Sequence, residues 1–488
     1  QRLDVTGAAE QFREAVRIDP DFALAHYRLS RVAEWLGDED EVLHAADRSL
    51  ALIDKLPLSY RDIVKASALY FQGTHTVAIP LLEIVLAREP ENKEALYVLS
   101  EIYVHSARDS DLSRVTSLLE QILKLDPDFH LAYHHLAFAY IFQGEIGKAN
   151  ALLDRWEAEE PEVVREARSW IAALEGRHDE ALRLLEGLAA PYVAVFRVRN
   201  AMLMSRWDLA REFVSLDQSE GYFRTQLLRL QGVLHVYQGH FDQAVAAYRE
   251  AGTAMGSRRD EGLVGGSAAS ALQSLSELLV LKGNREAAQA EAERALAIQP
   301  ESPRCLYFAG VFALRNGNFP AAGRYLEKVK QLMSVVRSTS AHLYRDSLEA
   351  EIALMQGRPH EAKLLFEKVV GSRKFLLDQA TTFTSAGAAV RDGLARTYLA
   401  LGEKEKAAEA LEALLASGWE RADQPELYVR AMYRLGMLRL DAGDTVGGSE
   451  FLRKFLDHWG EADWNLLEVT EAKARLAALG GVEAAGVQ

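Results

Sequence analysis

Three histidines crowd one short stretch of the chain, His130, His134 and His135. Four residues apart on a helix, His130 and His134 would share a face. That is how a transition-metal site begins, but no carboxylate or cysteine completes it at a predictable spacing. The rings are therefore read as groove-lining polar groups. The single cysteine, Cys305, falls where a small apolar residue is wanted, and no activating base can be named beside it, so it reads as a buried structural thiol. The stretch Gly256–Gly262 has no lysine after its second glycine and fails the phosphate-loop pattern. Neighbouring carboxylates such as Glu159 and Glu160 sit at helix ends, where solvated charge is expected. No strand is legible to build a dinucleotide site. The chain is expected not to be an enzyme, and to hold no cofactor and no metal.

The elements that carry these residues repeat. The clearest copy has Leu136-Ala137, Gly144, Ala149, Leu153 and Trp156, and the prolines that bracket it, Pro127 and Pro161, are 34 residues apart. This is the tetratricopeptide period. Leu136 beside Ala137 sets large against small, so the first helix can nest on the second. Gly144 tolerates the left-handed turn between them. Ala149 is small at the crossing, and Pro161 is expected to end the second helix. The same marks recur at Gly73 and Ala78, Gly176 and Ala181, Gly239 and Ala244, Gly283 and Ala288, Gly317 and Ala322, Gly357 and Ala362, and Gly402 and Ala407. The expected fold is all-α, a right-handed superhelical solenoid of about twelve tetratricopeptide helix pairs with a C-terminal capping helix.

Composition agrees. With 488 residues, 49% hydrophobic and 26% charged, the chain is ordinary for a folded protein. A repeat array can reach this length because each unit packs only on its neighbours. The formal net charge of −15 argues against a nucleic-acid partner. No stretch approaches the length of a membrane span, and one cysteine gives no sign of an oxidising compartment. A cytoplasmic location is expected. The chain opens on Gln1, inside what reads as the second helix of a pair, so more chain is expected upstream.

Four regions are expected: an N-terminal arm, 1–192; degenerate repeats and a glycine-rich loop that could act as a hinge, 193–266; a C-terminal arm, 267–465; and a capping helix with a frayed tail, 466–488. The pair from Val193 to Leu216 lacks the turn glycine and places Arg206-Trp207 where the turn should be. Met255–Ser267 and Gly371–Gly387 read as long inter-helix loops or extended helix starts, and extra residues of another unit are placed near Ala107–Asp109.

The segments Asp19-Pro20-Asp21-Phe22, Lys55-Leu56-Pro57, Asp126-Pro127-Asp128-Phe129, Pro425-Glu426-Leu427-Tyr428 and Phe455-Leu456-Asp457-His458-Trp459, with Glu461-Ala462-Asp463, carry a further likeness. The chain resembles the C-terminal repeat region of bacterial tetratricopeptide proteins that often follows a Ser/Thr protein kinase or another signalling domain. That resemblance implies the regulatory arm of a larger enzyme. The repeats by themselves imply a scaffold or sensor that binds a peptide or protein in its concave groove, or a small molecule inside the superhelix. Residues out of phase with the packing positions are Tyr27, Arg31, Tyr60, Tyr70, Tyr97, Glu101, His134, Phe138 and Phe142, and these are expected to line the partner-binding groove. No repeated Lys/Arg clamp accompanies them.

Overall fold

The computed structural model describes residues 4–36, 38–72, 74–105, 112–188, 191–216, 221–253, 263–335, 339–372, 387–417 and 423–485. The expected turn at Ala107–Asp109, the loop 254–262 and most of the stretch Gly371–Gly387 lie outside them. The described residues contain 26 α-helices, one short 3-10 turn and no strand. After an opening helix, Val5–Ile18, inner and outer helices alternate, from Ala23–Leu36 with Glu39–Ala51 to Pro425–Asp441 with Thr445–Trp459. Leu467–Ala485 closes the array. Each helix packs on the next, and most inner helices also meet the following inner helix. This is an all-α tetratricopeptide-type solenoid.

The pair His130–Phe142 and Ile146–Trp156 shows why these residues fold this way. Ala132, Leu136, Ala137, Ala149 and Leu153 are all buried at its crossing. Gly144 holds φ at 74° in the turn between the helices, a conformation that costs an L side chain about 1–2 kcal/mol. Glycines 176, 239, 283, 317, 357, 402 and 443 take the same left-handed backbone at later turns. In the pair Pro191–Leu203 and Trp207–Leu216 the position belongs to Ser205, at φ 56°, the one non-glycine with positive φ among the described residues. The degenerate pair is thus a formed pair with a strained turn.

One expectation is corrected. Pro161 does not end the second helix: that helix stops at Trp156, and Pro161 is the first residue of the next helix, Pro161–Leu174. Its missing N–H costs nothing there, because the first helical N–H groups have no intrahelical partner. The closing helix runs on to Ala485. Its charges are paired with the preceding repeat. Glu468 pairs with Arg430 at 2.8 Å, Glu471 accepts from the Tyr433 hydroxyl, and Arg475 pairs with Asp441.

Two apolar cores run along the chain and meet at Pro191–Leu203. Val193, Phe196 and Leu203 join the core of the preceding repeats, and Val195, Val198, Ala201 and Met202 join that of the following ones. No described helix is long and apolar enough to cross a membrane.

Candidate functional site

The inner helices of the N-terminal repeats bring most of the expected groove residues together, and they bond to one another. Tyr27 donates to Glu94, and Arg28 pairs with the same carboxylate at 2.8 Å. Arg31 is buried and reaches Glu34 at 2.9 Å and Glu101 at 3.2 Å. Burial opposes its charge, yet Glu34 and Glu101 hold the guanidinium pKa well above its ordinary value. Tyr70 donates to Glu34 at 2.7 Å, and Glu101 lies 3.1 Å from Nδ1 of His135. Tyr97, also buried, packs its ring against Phe129 and under Arg31. Tyr27, Arg31, Tyr70, Tyr97 and Glu101 therefore fill the inner face.

Tyr60, His134, Phe138 and Phe142 remain half-buried. The last three belong to an aromatic ladder that begins at Trp35, whose ring lies 5.1 Å from that of His134. It continues through His134–Phe138 at 4.9 Å and Phe138–Phe142 at 5.8 Å, then to Trp170 and, stacked at 4.1 Å, to Phe196. Trp35, Trp170 and Phe196 escaped sequence reasoning because they sit at different turns of their helices, and only the superhelix lines them up. The three histidines part company. His130 accepts from the Trp156 indole at 3.2 Å, His134 stacks in the ladder, and His135 faces Glu101.

The later repeats behave differently: their inner helices form a closed circuit. Pro425–Asp441 packs against Gly221–Tyr237, the inner helix five pairs earlier. Ion pairs link several neighbouring inner helices around it, and one falls within a helix. Arg315 meets Glu277 at 2.6 Å, Arg396 meets Glu351 at 2.6 Å and Asp392 at 2.8 Å, and Arg434 meets Asp392. Asp423 receives both Arg199, at 2.9 Å, and Arg229, at 3.0 Å, with all three side chains almost fully buried. Burial alone would raise the Asp392 carboxyl, but Arg434 and Arg396 hold it well below the usual carboxylate range. Burial, reinforced by Glu277, pushes the Glu426 carboxyl well above that range. Charged residues recurring on otherwise apolar inner helices were the available signal for this circuit.

The seam that closes it uses residues around the end of the last outer helix. The Trp459 indole donates to the Val236 carbonyl at 2.8 Å, and His458 Nδ1 lies 3.0 Å from the Tyr237 carbonyl. Asp463 accepts from the backbone N–H groups of Phe241 and Asp242, each at 3.0 Å, and so caps the helix Phe241–Thr253 from more than two hundred residues away. Trp464 packs on Phe241 and donates to Asp242 at 2.9 Å. Gly239 serves twice: its φ is 72°, and a Cβ there would stand 3.0 Å from the backbone of Ala462.

Beside the seam lies a pocket of about 560 Å³ between the turn at Ser205 and the final pair, with Trp207, Tyr237, Tyr428 and His458 among its walls. Cys305 is far from being a nucleophile. It is buried, Gln273 donates to its sulfur at 3.2 Å, and burial raises the thiol pKa.

Comparison with known proteins bears on the fold. One tetratricopeptide-repeat family model matches residues 63–112, 274–332 and 393–465, and a second matches 163–186, so these stretches are tetratricopeptide repeats. No curated protein is significantly similar to the chain in sequence. Among solved structures, it is similar to a tetratricopeptide repeat protein from Parabacteroides merdae (16% identity, 58% of this chain and 96% of that one, TM-score 0.32). It is also similar to yeast Tom70 (13% identity, 88% and 96%, TM-score 0.35). Human IFIT1, as a dimer with PPP-AAAA, is a third (14% identity, 93% and 95%, TM-score 0.38).

Proposed function

We propose that this chain is a protein-interaction scaffold, and that its N-terminal repeats receive a partner segment with apolar side chains along the aromatic ladder. The observation that carries this reading is the half-buried run Trp35, His134, Phe138 and Phe142. Rigid rings already held by their neighbours lose little freedom on binding, which makes them effective anchors. The polar residues beneath them, such as Arg31 and Glu101, are committed to each other and act as the floor of the groove. In this reading the pair Pro191–Leu216 divides a partner-binding arm from the closed circuit of later repeats. The regulatory-arm reading rests on the resemblance of segments such as Pro425–Tyr428 and Phe455–Trp459, and those same segments lie at the seam.

Site-specific photo-crosslinking tests the proposal. A photoreactive residue placed at Trp35 or at Phe142 is expected to capture the same partner, and one at Ser117, exposed on an outer helix, is not. Phe138→Ala should abolish capture without lowering the thermal midpoint of the C-terminal repeats. Equal capture from Ser117, or capture indifferent to Phe138→Ala, would sink the groove assignment.

A further inference from the structure

Four rings surround the pocket at the seam. Trp207 and Tyr237 lie 4.6 Å apart, and Tyr428 stands edge-on to Tyr237 at 5.9 Å. His458 approaches Tyr237 at 5.5 Å and Trp207 at 5.8 Å. Trp207, Tyr428 and His458 are each half-exposed, and Tyr237 is buried behind them. The volume, about 560 Å³, is that of a small-molecule site.

Charge decides what such a box would hold. Asp457 lines the pocket and is exposed, and it has no ion-pair partner among the described residues. Lys454, also on the wall, is drawn to Glu450 at 2.6 Å and lies over the Phe451 ring. His458 is turned to the Tyr237 carbonyl, and its burial lowers its pKa, which favours the neutral ring. The net charge of −15 adds a field that attracts cations. Ring faces around a cation, with one free carboxylate at the rim, are the chemistry that binds alkylated ammonium groups.

We propose that this pocket binds an alkylated ammonium group, held against Trp207, Tyr428 and His458 with Asp457 as its counter-ion. The group could be a free quaternary amine or the end of a methylated lysine side chain. Its walls come from the turn at Ser205 and from the closing pair, so the ligand would bridge the degenerate repeat and the seam.

Calorimetric titration of the full chain with choline and with its uncharged analogue, carbon replacing nitrogen, tests this. Choline is expected to bind at least about tenfold more tightly than the analogue. Asp457→Asn should weaken choline by a similar factor and leave the thermal midpoint unchanged. A peptide bearing trimethyl-lysine, compared with choline, distinguishes the sources: tighter binding of the peptide assigns the site to a modified side chain, and tighter choline to a free amine. Equal affinity for choline and the analogue, no binding of choline or the peptide, or choline binding indifferent to Asp457→Asn would each overturn the proposal.

Discussion

The inner faces of the early and late repeats are built from the same kind of helix, yet they end in different states. In the early repeats Arg31 pairs with Glu34 on its own helix and with Glu101 two pairs on, Tyr70 donates to Glu34 from the pair between, and half-buried rings lie alongside. In the late repeats Arg315–Glu277, Arg396–Glu351 and Arg434–Asp392 each link two neighbouring inner helices, and Arg229 meets Asp423 where the circuit shuts. The repeat unit itself does not decide between the two. What decides is a small set of seam residues, Asp423, Trp459, Asp463 and Trp464, which do for one helix pair what no repeat consensus requires. Closure hides polar groups that would otherwise face water, and the arm without a seam keeps its rings accessible.

Breaking each region separately sharpens the contrast. Trp459→Ala removes a fully buried ring and its bond to Val236, and is expected to cost about 3–5 kcal/mol. Hydrogen exchange should show the loss in 221–253 and 425–465 together, because the seam couples the two ends. Arg31→Met leaves Glu34 and Glu101 without their buried cation, and a loss of about 3–5 kcal/mol is expected. Here the faster exchange should stay within the early repeats, since repeats communicate through nearest neighbours. If Arg31→Met loosens the seam equally, the two regions are one cooperative unit.

Asp463→Ala tests the remote cap, and a loss of about 1–2 kcal/mol is expected in the denaturation midpoint of the late repeats. Glu426→Gln addresses pH. The folded carboxyl titrates above its unfolded value, so its protonated form favours folding at acid pH, and that contribution fades as pH rises through the raised pKa. Gln cannot ionise. The variant should match the parent at low pH and be more stable at neutral and alkaline pH, by on the order of 1 kcal/mol. A parallel stability–pH curve for the two proteins would contradict the assignment. Asp392 has the opposite sign: its stabilisation is complete above the unfolded carboxylate range and is lost as pH falls below it. The smallest effect is expected at the turn. Ser205→Gly relieves the strained φ and should add about 1 kcal/mol to the stability of the Pro191–Leu216 pair, read as slower amide exchange in Trp207–Leu216.

Much of this molecule was legible in its sequence. Spacing of small and large apolar residues located the helix pairs, and the expected turn glycines from Gly144 to Gly402 all take the left-handed backbone. These features are local: a glycine is needed where φ is positive, and an alanine where two helices cross, whatever the rest of the chain does. The expected groove residues were found on inner helices, but their burial was not legible. Whether Tyr97 faces solvent or Arg31 depends on how far the superhelix turns between repeats. The seam was further out of reach, because the contact of Asp463 with Phe241 and Asp242 spans more than two hundred residues. Periodicity sets each helix pair on its neighbour, and curvature, summed over many small rotations, brings distant pairs together. The repeat was therefore written in the sequence, and closure was decided only by the tertiary structure.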